Sequence, residues 1–181
     1  MKLLIASDIH GDLNAAKKII DIYRNEKCDK ILLLGDILYF GPRNQLTSDY
    51  NPQAVISLLN DYRDSILAVR GNCDAEVDQM VLNFPILADY CYLSLDGLSI
   101  FATHGHVYNT ENPPPLRKGE ILLHGHTHVQ KFLEFGNDNF YINPGSTTYP
   151  KENNPKTYML YNNRTFRLMD FDGNVLFNKS L

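Results

Sequence analysis

Three short apolar runs, each cut off by a small residue and a metal-ligating residue type, constrain this chain more than any other feature. Leu3-Leu4-Ile5-Ala6 ends at Ser7-Asp8, Ile31-Leu32-Leu33-Leu34 ends at Gly35-Asp36, and Ile66-Leu67-Ala68-Val69 ends at Arg70-Gly71-Asn72. Runs of this length read as buried strands. The segments between them carry helical spacing. Asp12 is placed to cap a helix with Leu13, Ala16, Ile19, Ile20 and Tyr23 on one face. Asn51-Pro52 is a cap followed by proline at the first helical position, with Val55, Leu58, Leu59 and Tyr62 following. Alternating strands and helices imply parallel strands joined by crossover helices. Ligands of such sheets bind beyond the carboxyl ends of the strands, so one site can collect all three polar knots.

The second half changes character. Tyr90–Leu95 and Leu98–Thr103 flank Asp96-Gly97, a hairpin turn. Further strands are predicted over residues 120–124, 131–135, 140–142, 157–161, 166–169 and 175–177, and this half is expected to be largely antiparallel. Asp74 is expected to cap a short helix through Val77, Met80 and Val81. Pro113-Pro114-Pro115 marks a stiff loop.

All six histidines fall in three knots: His10 after Asp8, the Thr103-His104-Gly105-His106 stretch, and His124-Gly125-His126-Thr127-His128. Asp8 and His10 are one residue apart, so in extended chain both side chains face the same way. A carboxylate such as Asp36 can bridge two cations through its two oxygens. A mixed oxygen and nitrogen set suits first-row divalent ions rather than thiolate zinc chemistry, since Cys28, Cys73 and Cys91 form no pair. Neither G-x-G-x-x-G nor a P-loop occurs, and the residue after His128 is Val129, not the pattern of metallo-β-lactamase sites.

Taken together, Asp8-Ile9-His10, Gly35-Asp36, Gly71-Asn72-Cys73-Asp74, Thr103-His104 and Gly125-His126-Thr127-His128 resemble, in order, the signatures of the calcineurin-like metallophosphoesterases. Gly41-Pro42-Arg43-Asn44 and Asn143-Pro144-Gly145-Ser146 are similar to a subgroup of small bacterial phosphodiesterases. The resemblance implies an α/β fold, a four-layer α/β/β/α sandwich of two mixed sheets flanked by helices, built as a single domain over residues 1–181. It implies one metal held by Asp8, His10, Asp36 and His128, and another held by Asp36, Asn72, His104 and His126, with Asp36 bridging. It implies hydrolysis of a small phosphodiester by a metal-bridging hydroxide, with two divalent ions, Mn²⁺ first and Fe, Co, Ni or Zn also accepted. The resemblance implies that Asn72 and Cys73 are catalytic, with Cys73 at the position that assists the leaving group. Many relatives carry histidine where Cys73 stands, so weaker leaving-group assistance is expected. His106 and His124 are expected to support the ligands.

Two rivals remain at this level: a phosphomonoesterase or nucleotidase of the same fold, and a non-catalytic scaffold, which the retention of every ligand disfavours. A net charge of −4 argues against a nucleic-acid partner gripped by a basic face. No run approaches a membrane span. A cytoplasmic protein with no membrane partner is expected, and a homo-oligomer is compatible.

Overall fold

The computed structural model describes residues 1–181. In chain order the elements are β1 (Lys2–Ala6), α1 (Leu13–Asn25), β2 (Lys30–Leu33), α2 (Pro52–Asn60), a 3-10 turn (Arg63–Ser65), β3 (Ile66–Ala68), α3 (Glu76–Gln79), β4 (Tyr90–Leu95), β5 (Leu98–Thr103), β6 (Ile121–His124), β7 (Lys131–Phe135), β8 (Asn139–Asn143), β9 (Thr157–Asn162), β10 (Thr165–Asp170) and β11 (Val175–Ser180). The two long helices begin where their caps stand. Asp12 accepts a hydrogen bond from Ala15 N–H and Asn51 accepts one from Ala54 N–H.

The strands form two mixed sheets, ordered β11-β10-β9-β1-β2-β3 and β4-β5-β6-β8-β7. The period-two alternation of β1 and β2 divides their side chains between two cores. Leu4, Ala6, Ile31 and Leu33 pack against Ala16, Ile19, Ile20, Val55 and Leu59 of α1 and α2. Leu3, Ile5, Leu32 and Leu34 face the other way, onto Ile100, Ala102, Ile121, Leu123 and Ile142 of the second sheet. The first sheet is therefore buried on both faces, which is why its strands read as unbroken apolar runs.

The expected α/β sandwich of two mixed sheets is present, and the structure changes three details of the sequence expectation. The second half is antiparallel in most of its pairings, as expected, but not at the centre of the second sheet: β5, β6 and β8 run parallel there, with antiparallel β4 and β7 at the edges. The crossover between β5 and β6 contains no helix, so it gave no sign of a parallel unit. For the same reason the outer layer on the second sheet is not helical. Part of that crossover lies on this face instead, with Tyr108 and Pro115 against Tyr90, Tyr92 and Phe101. Three consecutive prolines supply no backbone N–H and cannot continue a helix. Third, Asp74 does not cap α3. That helix is a single turn, Ala75 stands at its cap, and Asp78 accepts the Ala75 N–H. Val77 and Met80 are exposed, so no apolar face holds a longer helix there.

Candidate metal centre

The carboxyl ends of β1, β2, β3, β5, β6 and β8 converge along one edge of the sandwich, and the polar knots meet there. The first two knots are zipped together by backbone hydrogen bonds that continue past the strands: Asp8 N–H to Gly35 O (3.2 Å), His10 N–H to Asp36 O (2.9 Å) and Gly11 N–H to Ile37 O (2.8 Å). A turn after β8 staples the first knot from the other side. Ser146 Oγ donates to Asp8 O, Thr147 Oγ1 lies within 3.2 Å of both Ser7 O and Asp8 O, and Thr148 Oγ1 donates to Ile9 O.

Asp74 organises the second and third knots. It is buried, and its carboxylate accepts N–H groups from Asp36 (2.8 Å), Ile37 (2.8 Å) and Gly71 (2.7 Å). Burial pushes its pKa up, against the lowering effect of those N–H donors. Gly71 is required at this contact, since a Cβ there would lie 2.1 Å from Asp36 Oδ1.

The expected ligands surround Asp8 and Asp36. His128 Nε2 is 3.2 Å and His10 Nε2 3.7 Å from Asp8 Oδ1. Asp36 Oδ2 lies 3.7 Å from His10 Nε2 and 3.5 Å from His104 Nε2. Asn72 Oδ1 is 3.0 Å and His126 Nδ1 3.1 Å from His104 Nε2. Asp36 thus stands between the Asp8, His10, His128 group and the His104, Asn72, His126 group. Five of these seven residues have left-handed backbones: Asp8 (φ 60°), His10 (50°), Asp36 (55°), His126 (66°) and His128 (61°). Such conformations are uncommon outside glycine and concentrate at functional sites.

The donor chemistry fits divalent cations. His10 Nδ1 faces Tyr39 O at 2.7 Å, His128 Nδ1 faces Tyr149 O at 2.7 Å, and His104 Nδ1 faces Leu34 O at 2.6 Å. Carbonyls only accept, so each ring carries its proton on Nδ1 and turns the Nε2 lone pair inward. His10 and His128 then point two lone pairs at each other across 3.4 Å. Asp8 Oδ1 beside them is buried and accepts no well-formed hydrogen bond. Lone pairs that converge in this way repel one another unless a cation or proton lies between them.

Protonation answers this when no cation does. Burial pushes His104 down, but its hydrogen bond to Asp36 and the charges of Asp8 and Asp36 outweigh that and lift it to about 9. His128 is likewise lowered by burial and raised more by Asp8. His126 is pushed down to about 4 by burial and by His104. Asp8 is raised by burial yet held well below the ordinary carboxylate range by the three histidines His128, His104 and His10.

The remaining sequence candidates divide. Cys73 is half-buried, with its N–H donating to Asp36 Oδ1 (2.8 Å) and its thiol pushed up to about 12 by burial and by Asp36. It lines the cleft beside Arg43 and Asn44. His124 does not reach the centre. It stacks on Tyr141 with centroids 4.4 Å apart, and Gly105 sits so close that a Cβ would lie 2.5 Å from its Nδ1. His106 packs against the rings of His104 and His126 but hydrogen-bonds neither. Sequence reasoning missed the carbonyls of Leu34, Tyr39 and Tyr149, which any residue could supply. It also missed Lys151, which follows no motif yet lines the cleft.

Comparison with known proteins gives the family. Residues 1–165 match the family model of the calcineurin-like phosphoesterase superfamily domain. The chain is 42% identical over 163 residues to the phosphodiesterase YfcE of Escherichia coli K12, covering 90% of this chain and 88% of that protein. The solved structure of the E. coli phosphoesterase Yfce superimposes with a TM-score of 0.96 at 39% identity, over 99% of both chains. The phosphodiesterase MJ0936 of Methanocaldococcus jannaschii is 28% identical over 153 residues, covering 80% of this chain and 83% of that one. Vps29 of Chaetomium thermophilum shares the fold, with a TM-score of 0.63 at 18% identity over 99% of this chain and 96% of that one. The chain belongs to the calcineurin-like phosphoesterase superfamily.

Proposed function

We propose that this chain is a phosphodiesterase working through a binuclear centre, with Asp8, His10, Asp36 and His128 holding one divalent ion and Asp36, Asn72, His104 and His126 the other. The observation that carries this reading is the set of three histidines locked by backbone carbonyls so that Nε2 of His128 faces Asp8, Nε2 of His104 faces Asp36, and Nε2 of His10 faces both buried carboxylates. Held by these residues, two divalent ions would supply Lewis acidity to the phosphate oxygens and would lower the pKa of a bound water, the nucleophile.

The protein's own part is positioning. The Asp74 carboxylate and the Ser146–Thr148 hydroxyls hold the ligand loops rigid, so little reorganisation is left for the reaction. Asn72 and Cys73 line the same cleft, and in this reading Cys73 serves the leaving group. With its thiol pushed up to about 12, Cys73 holds its proton near neutral pH and donates it weakly, which favours esters with acidic leaving groups. The mixed oxygen and nitrogen donors suit Mn²⁺, and Fe, Co, Ni or Zn are also compatible. The phosphodiesterase names of YfcE and MJ0936 support a diester over a monoester. The chain's three free cysteines suit a reducing compartment such as the cytoplasm, and no helix is long and apolar enough to cross a membrane.

The deciding experiment strips the metal, restores Mn²⁺ and follows chromogenic diesters and monoesters alongside elemental analysis. Metal-dependent diester cleavage is the expected result. Cleavage of monoesters alone moves the assignment to a phosphomonoesterase, and no metal-dependent cleavage of either moves it to a scaffold.

A further inference from the structure

The cleft beside the ligands measures about 240 Å³, and its floor is formed by His10, Asp36, Asn72, His126 and His128. Its rims belong to two loops outside the ligand set. One is Gly41–Asn44, pinned by Asn44 Nδ2 donating to Phe40 O (2.6 Å); the other carries Lys151, pinned by its N–H donating to His128 O (3.1 Å). Arg43 and Lys151 therefore stand in the walls of the cleft, on backbones held in place, with exposed side chains.

Neither cation is satisfied by the protein. The lysine and arginine ion pairs of the chain are Lys2–Glu26, Arg63–Asp64, Arg70–Glu76 and Lys118–Asp138, and none involves residue 43 or 151. Lys151 is near enough for its charge to oppose protonation of His128. What sets these two unpaired cations apart is their place, since they share one cleft with the expected ligands.

Charge balance indicates what they face. Two divalent ions, offset by Asp8, Asp36 and an ionised water, leave a centre of about one positive charge. A singly charged phosphodiester cancels that and leaves Arg43 and Lys151 uncompensated. The cleft is also smaller than the about 300–1,000 Å³ of common small-molecule pockets. A cleft of this size would take the scissile phosphate and its immediate substituents, leaving anything further along the substrate at the rims.

Building on the phosphodiesterase reading, we propose that Arg43 and Lys151 form an anion clamp selecting phosphodiesters that carry a second anionic group, a phosphate or carboxylate, outside the scissile linkage. Arginine presents a planar fork to such a group and lysine a point charge, so one clamp accepts either anion.

A matched pair of substrates tests it: the p-nitrophenyl ester of thymidine 5′-phosphate with and without a 3′-phosphate. The Mn²⁺-loaded protein is expected to favour the 3′-phosphorylated ester about three- to tenfold in kcat/KM, the size exposed charge contacts allow, and the preference should shrink with added salt. Both esters carry the scissile charge, so both lose rate in the double variant Arg43→Gln, Lys151→Gln; the ratio between them is the readout, and it should fall to about one. Calorimetric binding of thymidine 3′,5′-bisphosphate against thymidine 5′-phosphate should show the same ratio without turnover, and the same collapse. A ratio of about one in the unmodified protein, or a preference that survives the double substitution, overturns the clamp and leaves the phosphodiesterase reading intact. Failure to cleave either ester overturns both.

Discussion

Asp74 touches no expected ligand atom of a metal, yet the structure predicts that replacing it will disable the centre. Its carboxylate accepts three buried N–H groups, with Oδ2 taking Asp36 and Gly71 and Oδ1 taking Ile37. In Asp74→Asn one oxygen becomes an amide nitrogen. If the remaining oxygen keeps Asp36 and Gly71, the amide turns its own donors toward Ile37 N–H. An unsatisfied buried donor costs about 1–3 kcal/mol, and the two surviving hydrogen bonds lose the strength that charge gave them, about 0.5–1 kcal/mol each. Relief of burying an anion returns part of this, so a net loss of about 2–3 kcal/mol is expected. Asp74→Ala leaves all three donors without the carboxylate and should cost about 3–6 kcal/mol. Because the chain has no tryptophan, urea unfolding of the metal-free variants is best followed by far-ultraviolet circular dichroism. Manganese content is measured in parallel and should fall with stability, since the same N–H groups place Asp36. If both variants unfold within about 0.5 kcal/mol of the parent and load metal normally, the account of Asp74 as the organiser of this loop is refuted.

Gly71→Ala should act on the same loop from the other side: its Cβ would lie 2.1 Å from Asp36 Oδ1 and 2.3 Å from Asp36 N. A loss of about 1–3 kcal/mol with reduced metal content is expected in the same assays, and normal loading would count against the contact. The stability of the metal-free protein should peak near pH 6.5. Above it His104, raised from 6.5 to about 9, progressively loses a proton that the folded state holds more tightly than the unfolded chain. Below it His124 and His126, lowered to about 4, leave the unfolded chain binding protons the folded state refuses. A melting temperature that rises from pH 7 to 9 without metal would contradict this. Finally, Cys73→His should raise turnover about tenfold or more on diesters with poor leaving groups, because an imidazolium is the better acid near neutral pH. Equal or lower turnover with metal content unchanged would sink that role for residue 73.

The sequence revealed what depends on residue type and concealed what depends on backbone. β1, β2 and their helices were legible because burial on both faces forces unbroken apolar runs, and because Asp12 and Asn51 can cap only with a side chain. The candidate site was legible because Asp8, His10, Asp36 and His128 sit in short motifs near glycines that their loops need. The parallel centre of the second sheet was not, because a crossover without a helix has no period to read. Nor was the setting of each histidine tautomer, since Leu34, Tyr39 and Tyr149 contribute through carbonyls that every residue possesses. Asp74 misled because an aspartate ahead of a short helix resembles a cap, while this one turns back onto the preceding loops.

The position of β1 bears on how the chain acquires its fold during synthesis. β1 leaves the ribosome before the other elements of this fold, yet it lies at the middle of its sheet, with β2 on one side and β9, residues 157–162, on the other. The loop that follows it is fastened by hydroxyls of Ser146, Thr147 and Thr148. One edge of β1 therefore stays unpaired, and the Asp8–His10 loop unfastened, until most of the chain has been made. Long-range pairing of this kind is slow and exposes strand edges while it waits. Ribosome-bound chains stopped before residue 146 should consequently bind chaperones and retain no manganese, whatever helices α1 and α2 have already formed.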